Sequence, residues 1–112
     1  MAKTINQGIC DWFFKVVEAQ RKLNALEDYY RNGKELVGFC GGNNKVIHIC
    51  YVQQFDRLVE ALISVRGKEF VGDVKEEVAK IPNGGFIWRS FKYAEFDVGV
   101  IVERLEEEKV ND

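Results

Sequence analysis

The chain has 112 residues, of which 46% are hydrophobic and 30% are charged, and its formal net charge is −2. These values indicate a single globular domain with a hydrophobic core and exclude an intrinsically disordered chain. The small net charge gives no overall attraction to nucleic acid or to an anionic membrane.

The sequence contains no recognisable membrane or export segment. No run approaches the roughly eighteen consecutive apolar residues of a membrane-spanning helix, and the N-terminal residues lack the apolar core of a signal peptide. We therefore expect no membrane association, a cytoplasmic location and reduced cysteines.

The first predicted element is a long amphipathic helix. Its apolar residues recur at alternating steps of four and three, which is the spacing of one helical face. They are Ile5, Ile9, Trp12, Val16, Ala19, Leu23, Leu26 and Tyr30, and we name this set the heptad stripe. Thr4 and Gln7 have the spacing of a capping box, and Gly33 provides a stop signal because glycine tolerates a left-handed C-cap.

The heptad stripe has two interpretations. It is either the seam of a coiled coil between two chains or the face of a helix that packs on its own sheet. We favour the second, because the stripe includes Trp12, Ala19 and Tyr30 in place of leucine or isoleucine. The apolar surface also broadens between Ile9 and Val17, beyond the width of a two-stranded seam.

Two strand-like runs, 35–40 and 45–52, follow the helix, and the glycines and asparagines of 41–44 suit a hairpin turn between them. The second run is apolar on both faces, which predicts a central strand. Helical spacing from Phe55 to Ile63 predicts a second helix that ends at Gly67. A second capping box, Asp73 with Glu76, predicts a short helix over 73–81.

The final two predicted strands, 86–93 and 95–104, form a second hairpin. The predicted order is α-β-β-α-α-β-β. It indicates an α+β fold in which the long N-terminal helix packs on an antiparallel sheet made of two hairpins. We expect one domain over residues 1–105 and an acidic C-terminal tail over 106–112.

The run 86–93 is the most distinctive local feature, because it carries apolar residues on both faces. If residues 94 and 95 form a two-residue turn, Phe91 and Tyr93 join the buried face, whereas Phe86 and Trp88 emerge beside Ile101. A register shifted by one residue would reverse the faces. In either register an apolar cluster reaches the polar side of the sheet, where the long helix, a second copy or another molecule must cover it.

We expect a non-catalytic protein–protein interaction domain, an adaptor, inhibitor or regulator, that self-associates most simply as a homodimer. Aromatic residues and arginine are favoured at the buried centre of interfaces. The predicted partner-binding residues are Phe86, Trp88, Arg89 and Ile101 on the last hairpin, with Trp12 and Phe13 on the helix.

The alternative is a nucleic-acid-binding module on the same strand. Its residues would be Trp88, Phe91 and Tyr93 for base stacking, with Arg89 and Lys92 for phosphate contacts. The carboxylates of the neighbouring strand disfavour this function, because an acidic face repels a phosphate backbone.

A metal site or a small thiol enzyme is the least favoured alternative, with Cys40, His48 and Cys50 as its candidate residues. Zinc needs four ligands, or three and a water, and the chain has no second histidine. A nucleophilic cysteine needs a base and an orienting group, and no third residue is evident. We therefore favour a buried histidine with structural thiols, no cofactor and no catalytic residue.

Overall fold

The structure, a computed structural model, describes residues 3–33 and 45–106, with side chains in the first range as far as Leu26. Its elements are α1 (Ile5–Gly33), β1 (Val46–Ile49), α2 (Val52–Arg66), α3 (Lys68–Val71), β2 (Lys75–Ile81), β3 (Gly84–Tyr93) and β4 (Phe96–Glu106). The α+β class and the long N-terminal helix agree with the sequence analysis, and so does the order of elements apart from the additional strand β2. Within the described residues, no helix is long and apolar enough to cross a membrane.

The start of α1 follows from its local sequence. The Oγ1 of Thr4 accepts a hydrogen bond from the Gln7 backbone N–H at 3.1 Å, and the Oε1 of Gln7 accepts one from the Thr4 N–H at 2.9 Å. This reciprocal pair is the predicted capping box. The helix then continues to Gly33 and is about 43 Å long at the standard rise per residue.

The four strands form one mixed sheet in the order β1-β4-β3-β2. β2, β3 and β4 are antiparallel neighbours, whereas β1 runs parallel to β4, with Val46 beside Asp97. The prediction of a wholly antiparallel sheet was wrong at this pairing. A parallel neighbour requires a long crossover, which α2, α3 and the β2–β3 hairpin supply. The first strand of the first predicted hairpin, 35–40, lies outside the described residues.

β1 lies at one side of the described sheet and buries a single face. Ile47 and Ile49 are buried, whereas Val46 and His48 are exposed. The prediction of a central strand with a buried histidine was therefore wrong for this segment. The run is also shorter than predicted, because α2 begins at Val52.

The segment predicted as a short helix is the strand β2. It pairs with β3 along its whole length, from Lys75 beside Ser90 to Ile81 beside Gly84. The helical spacing of its few apolar residues is a weak local preference, and backbone pairing with a neighbouring strand overrides it. The short helix lies instead at Lys68–Val71, in a segment to which the sequence analysis assigned no element.

The hairpin between β3 and β4 has the predicted two-residue turn. Tyr93 pairs with Phe96, and Ala94 takes the positive φ of +52° that a tight hairpin turn requires at its first position. Glu95 in this turn accepts hydrogen bonds from the guanidinium of Arg21 on α1, with Nη2 2.5 Å from Oε1. The arginine lowers the pKa of Glu95, so this ion pair ties the middle of α1 to the end of the sheet.

The turn sets the register in which Phe91 lies beside Val98 and Trp88 lies beside Ile101. The predicted assignment of faces for this register is confirmed, with Phe91 and Val98 buried under the helices. A β-bulge between residues 87 and 88 shifts the pairing beyond that point. β4 extends to Glu106, so that residue belongs to the sheet, and 107–112 lies outside the described residues.

The helices and one face of the sheet share a single core. Phe13 of α1 is fully buried and packs on Phe91, with ring centroids 6.3 Å apart, and Phe55 of α2 packs on the same ring at 5.8 Å. The other fully buried large side chains are Phe96, Leu58, Leu62, Val17, Val98 and Val100. α1 therefore packs on α2 and reaches the sheet through Phe13, which leaves the opposite face of the sheet to other contacts.

Candidate functional site

α1 carries two adjacent apolar stripes, and the domain core uses the one that the sequence analysis did not choose. Cys10, Phe13 and Val17 are 2% exposed or less. In the heptad stripe, by contrast, Trp12 is 52% exposed and Leu26 50% exposed. The expectation that the heptad stripe is the buried face of the helix was wrong, because Cys10, Phe13 and Val17, each one position after a stripe residue, face the core.

The heptad stripe is consequently a large apolar surface of the described chain. Ile5 and Leu23 are also exposed, whereas Ile9 and Val16 contact the core along one edge. A polar border follows the other edge, where Lys22 and Glu18 form an ion pair of 3.1 Å. An apolar strip with a charged border is the usual composition of a helix–helix interface.

A groove of about 560 Å³ adjoins the heptad stripe between α1 and α2. Its lining residues are Ile9, Trp12, Ile49, Gln53, Gln54, Arg57 and Leu58. Arg57 is the charged residue among them, and its Nη1 is buried without a hydrogen-bond partner. Buried donors in native proteins are nearly always paired, so this nitrogen is an exception, but as a buried atom it is not exposed at the surface of the groove.

The second apolar surface is the sheet face opposite the helices. Trp88 lies there across Gly99, in space that a Cβ at residue 99 would occupy, since that Cβ would be 2.4 Å from Cζ2 of the indole. The indole contacts His48 at 5.5 Å and Phe86 at 6.4 Å between ring centroids. With Ile101 these residues line a shallow groove of about 390 Å³. The long helix lies on the other face, so it does not cover Trp88.

The predicted partner-binding residues therefore fall in four separate places. Trp12 lies on the heptad stripe, and Phe13 lies in the core. Phe86, Trp88 and Ile101 share the open sheet face. Arg89 projects to the helix side of the sheet.

Two carboxylates hold Arg89 on the helix side. Its Nε donates to Oε1 of Glu76 at 2.7 Å and its Nη1 donates to Oδ1 of Asp56 at 2.9 Å. The hydrogen bond to Glu76 and the charge of Asp56 raise the pKa of Arg89. The arginine joins β2, β3 and α2, which is a structural role and not the anchor of an interface.

Comparison with protein-family models, with curated proteins and with solved structures finds no match to the chain. The geometry of the described residues is therefore the basis for functional inference.

The residues of the nucleic-acid alternative do not form one surface. Phe91 is buried in the core, and Tyr93 packs on Phe13 with ring centroids 5.3 Å apart. Trp88 and Lys92 remain on the open face, but Lys92 pairs with Asp97 at 3.2 Å. An aromatic platform flanked by several free cations, as single-strand binding requires, is not assembled from these five positions.

The cysteines and the histidine show no convergent chemistry in the described chain. His48 packs against Trp88 with tilted rings, Cys50 is exposed beyond the end of β1, and Cys40 lies outside the described residues. Within the described ranges, no group of three potential metal ligands occurs. Cys10 is buried, and burial raises the pKa of its thiol, which disfavours the reactive thiolate.

The sequence analysis overlooked Gly99 and Arg57. Gly99 has a signal in the sequence, because a glycine inside an alternating strand marks a close approach of another group. Arg57 has none, since a charged residue in an amphipathic helix is ordinarily solvated. Only the packing of α2 against α1 identifies its buried nitrogen.

Proposed function

We propose that the protein is a non-catalytic interaction domain that forms a homodimer through the heptad stripe and acts in the cytoplasm as an adaptor, inhibitor or regulator. The observation that carries this proposal is the exposure of Ile5, Trp12, Leu23 and Leu26 on one face of a helix whose adjacent face packs into the core. The helix thus packs one apolar face into its own domain and exposes a second apolar face to solvent.

The spacing of this second face supports pairing with another helix. A stripe at alternating steps of four and three, sustained over about four heptads, fits the a and d positions of a coiled coil. A helix with a globular core on one side keeps such a stripe straight and accessible. Pairing two copies would remove both stripes from water, which is the main favourable contribution to association.

The proposal assigns different roles to the predicted partner-binding residues. Trp12 belongs to the dimer interface. Phe13 and Arg89 support the fold. Phe86, Trp88 and Ile101 lie on the opposite side of the sheet from α1 and have no part in the dimer, so each copy keeps that surface free.

Light scattering after size exclusion, over a range of concentrations, tests the proposal. We expect the wild-type protein to have twice the monomer mass at high concentration and to dissociate on dilution. Leu26→Glu places a charge within the apolar interface and should give a monomer throughout. Ile81→Glu is the matched control, because Ile81 is 49% exposed on β2, away from the stripe, and this variant should remain dimeric. A wild-type monomer at every concentration, or a dimer of Leu26→Glu, would contradict the proposal.

A further inference from the structure

The open sheet face, which the proposed dimer leaves free, carries a cluster of aromatic rings at the protein surface. Trp88 and Phe86 of β3 have ring centroids 6.4 Å apart and ring planes at 73° to each other. The ring of His48, on β1, also contacts the indole, with planes at 55°. All three side chains line the shallow groove of about 390 Å³ and are exposed or partly exposed. A ligand in this groove would therefore contact several rings at once.

Gly99 of β4 holds the indole in position. The glycine has no Cβ, so the indole occupies the space into which a side chain of β4 would otherwise project. His48 pairs with Gly99 in the β1–β4 register, which brings the rings of His48 and Trp88 together across β4. These contacts fix the indole before a ligand binds, and such preorganisation lowers the entropic cost of binding.

Glu77 adds a negative charge beside the rings. It lies directly opposite Trp88 in the pairing of β2 with β3, and directly opposed residues project to the same face of a sheet. Its exposed side chain lines the same groove. Within the described residues no ion pair or hydrogen bond engages this carboxylate, whereas the carboxylate of Glu76 accepts a hydrogen bond from Arg89. The groove thus combines aromatic walls with a carboxylate that is available to a cation.

The adjoining surface is also acidic. Trp88 and Glu77 line a second groove, of about 590 Å³, whose charged residues are Glu69, Asp73, Glu77, Asp97, Lys75 and Lys92. Lys92 and Asp97 neutralise each other in an ion pair of 3.2 Å. The three remaining carboxylates outnumber the one remaining lysine. The local field around Glu77 therefore attracts cations, although the net charge of the whole chain is only −2.

These features indicate an organic cation as the ligand. Aromatic rings, that of tryptophan most strongly, attract a cation over their faces, and clusters of such rings recognise quaternary ammonium groups. The remaining lining residues of the shallow groove are apolar, namely Val46, Val78, Ala79 and Ile101. Apolar walls suit the methyl groups of a quaternary ammonium ion better than the N–H groups of a primary amine, which need acceptors. The volume of the groove lies in the range of small-molecule sites.

We propose that Trp88, Phe86 and Glu77 form a binding site for a small quaternary ammonium ion on the open face of the sheet. The rings contact the methyl groups of the cation, and the Glu77 carboxylate balances its charge. The site goes beyond the proposed function and does not depend on it, because α1 lies on the opposite face of the sheet. A wild-type monomer would therefore refute the dimer and leave this site intact.

Titration with choline, followed by the NMR chemical shifts of the indole N–H groups, tests the site. The chain has two tryptophans, and the Trp12→Phe variant assigns their resonances. We expect a saturable shift of the Trp88 resonance and none of the Trp12 resonance, which is an internal control. The uncharged carbon analogue of choline, a dimethylbutanol of the same shape, should bind at least about tenfold more weakly, because it lacks the charge.

Substitutions test the assigned residues in the same titration. Glu77→Gln removes the charge of an exposed side chain and keeps its size, and it should weaken choline binding at least about fivefold. Phe86→Leu keeps an apolar wall but removes a ring, and it should also weaken binding. Glu60→Gln is the matched control, because Glu60 is an exposed carboxylate of α2 on the helix side, and its dissociation constant should equal that of wild type.

The outcomes that overturn the proposal concern charge and source. No saturable shift of the Trp88 resonance, equal binding of choline and dimethylbutanol, or unchanged binding to Glu77→Gln would each refute a cation site. A peptide with a trimethylated lysine that binds through the same residues about a hundredfold more tightly than choline would assign the groove to a protein partner and overturn the small molecule as its occupant.

Discussion

Replacing Gly99 by alanine should destabilise the protein, although glycine is intrinsically unfavourable in a strand. The added Cβ would be 2.4 Å from Cζ2 and 2.5 Å from Cε2 of Trp88, and 2.7 Å from the backbone oxygen of Arg89. None of these distances is a contact that real atoms tolerate. The indole can rotate, but the carbonyl of Arg89 belongs to a strand that is paired on both sides, so β3 must shift.

Two opposing contributions set the magnitude. Adding a methyl group to tightly packed structure costs about 1–3 kcal/mol. The lower chain entropy of alanine in the unfolded state returns about 0.5–1 kcal/mol. The midpoints of these two ranges give a net loss of unfolding free energy of about 1.3 kcal/mol, which corresponds to a Tm lower by about 5 °C for a chain of this size.

Thermal and urea denaturation, followed by circular dichroism, measure this loss, and two further variants serve as references. Gly8→Ala should raise the stability, because no atom lies within 4 Å of its added Cβ and alanine is favoured in a helix. In a Trp88→Leu background Gly99→Ala should cost less, since the indole clash is gone. An unchanged or higher Tm for Gly99→Ala, or an equal cost in both backgrounds, would refute the packing of Trp88 on Gly99.

Three further predictions concern the dimer, the turn and the thiols. Leu23→Ala removes a side chain that is 49% exposed in each copy and that the dimer would bury. Burying a whole leucine side chain contributes ~1.5–3 kcal/mol, so burying half of one in each of two copies contributes about 2 kcal/mol to dimer formation. Its loss should raise the dimer Kd roughly 30-fold. Ile81→Ala, with the same exposure, should leave that Kd unchanged, and equal effects of the two would remove Leu23 from the interface. Glu95→Gln should lower the Tm near neutral pH, because the folded chain lowers the pKa of Glu95 and its ionised carboxylate therefore stabilises the fold. This stabilisation is present above the ordinary carboxyl pKa and disappears as the pH falls through the lowered pKa. A lower Tm of the variant that persists in acid would contradict this explanation. A thiol reagent at neutral pH should modify exposed Cys50 quickly and buried Cys10 only upon unfolding, and Cys50→Ser should therefore remove one fast-reacting thiol from the time course.

The elements that could be predicted are those encoded within a few residues. The capping box of Thr4 and Gln7, the helix end at Gly67 and the turn at Ala94 each depend on local backbone chemistry. The long helix and the last hairpin were predictable because their apolar residues recur with the helical and the strand period, respectively. Each of these agrees with the structure.

The wrong predictions about the fold concern segments whose structure depends on contacts with distant parts of the chain. β2 has little apolar periodicity of its own and is a strand because β3 offers it a continuous row of backbone partners. β1 pairs in parallel with β4, which lies far along the chain, and the local sequence of β1 does not predict which strand it pairs with. Pairing between strands is a tertiary property that single-sequence periodicity does not contain.

The candidate site was predictable in part. The heptad stripe and the emergence of Trp88 beside Ile101 both follow from spacing. Which of two adjacent stripes faces the core does not, because Phe13 and Trp12 belong to apolar rows of the same period. The choice depends on how α2 packs against α1, and the burial of the Arg57 Nη1 is likewise visible only in the folded structure.

β2 has a consequence for how copies of the chain can meet. Among the described strands it lies at one side of the sheet, with nearly all residues exposed, and Lys75, Glu76, Glu77 and Lys80 place charges on both of its faces. An open strand is a template on which another chain can add itself without limit, and interspersed charges are a common natural defence against such growth. These charges therefore disfavour an extended β-assembly at this strand. Association through a helix is self-limiting instead, because two paired helices bury each other's apolar surface and the assembly closes at two copies.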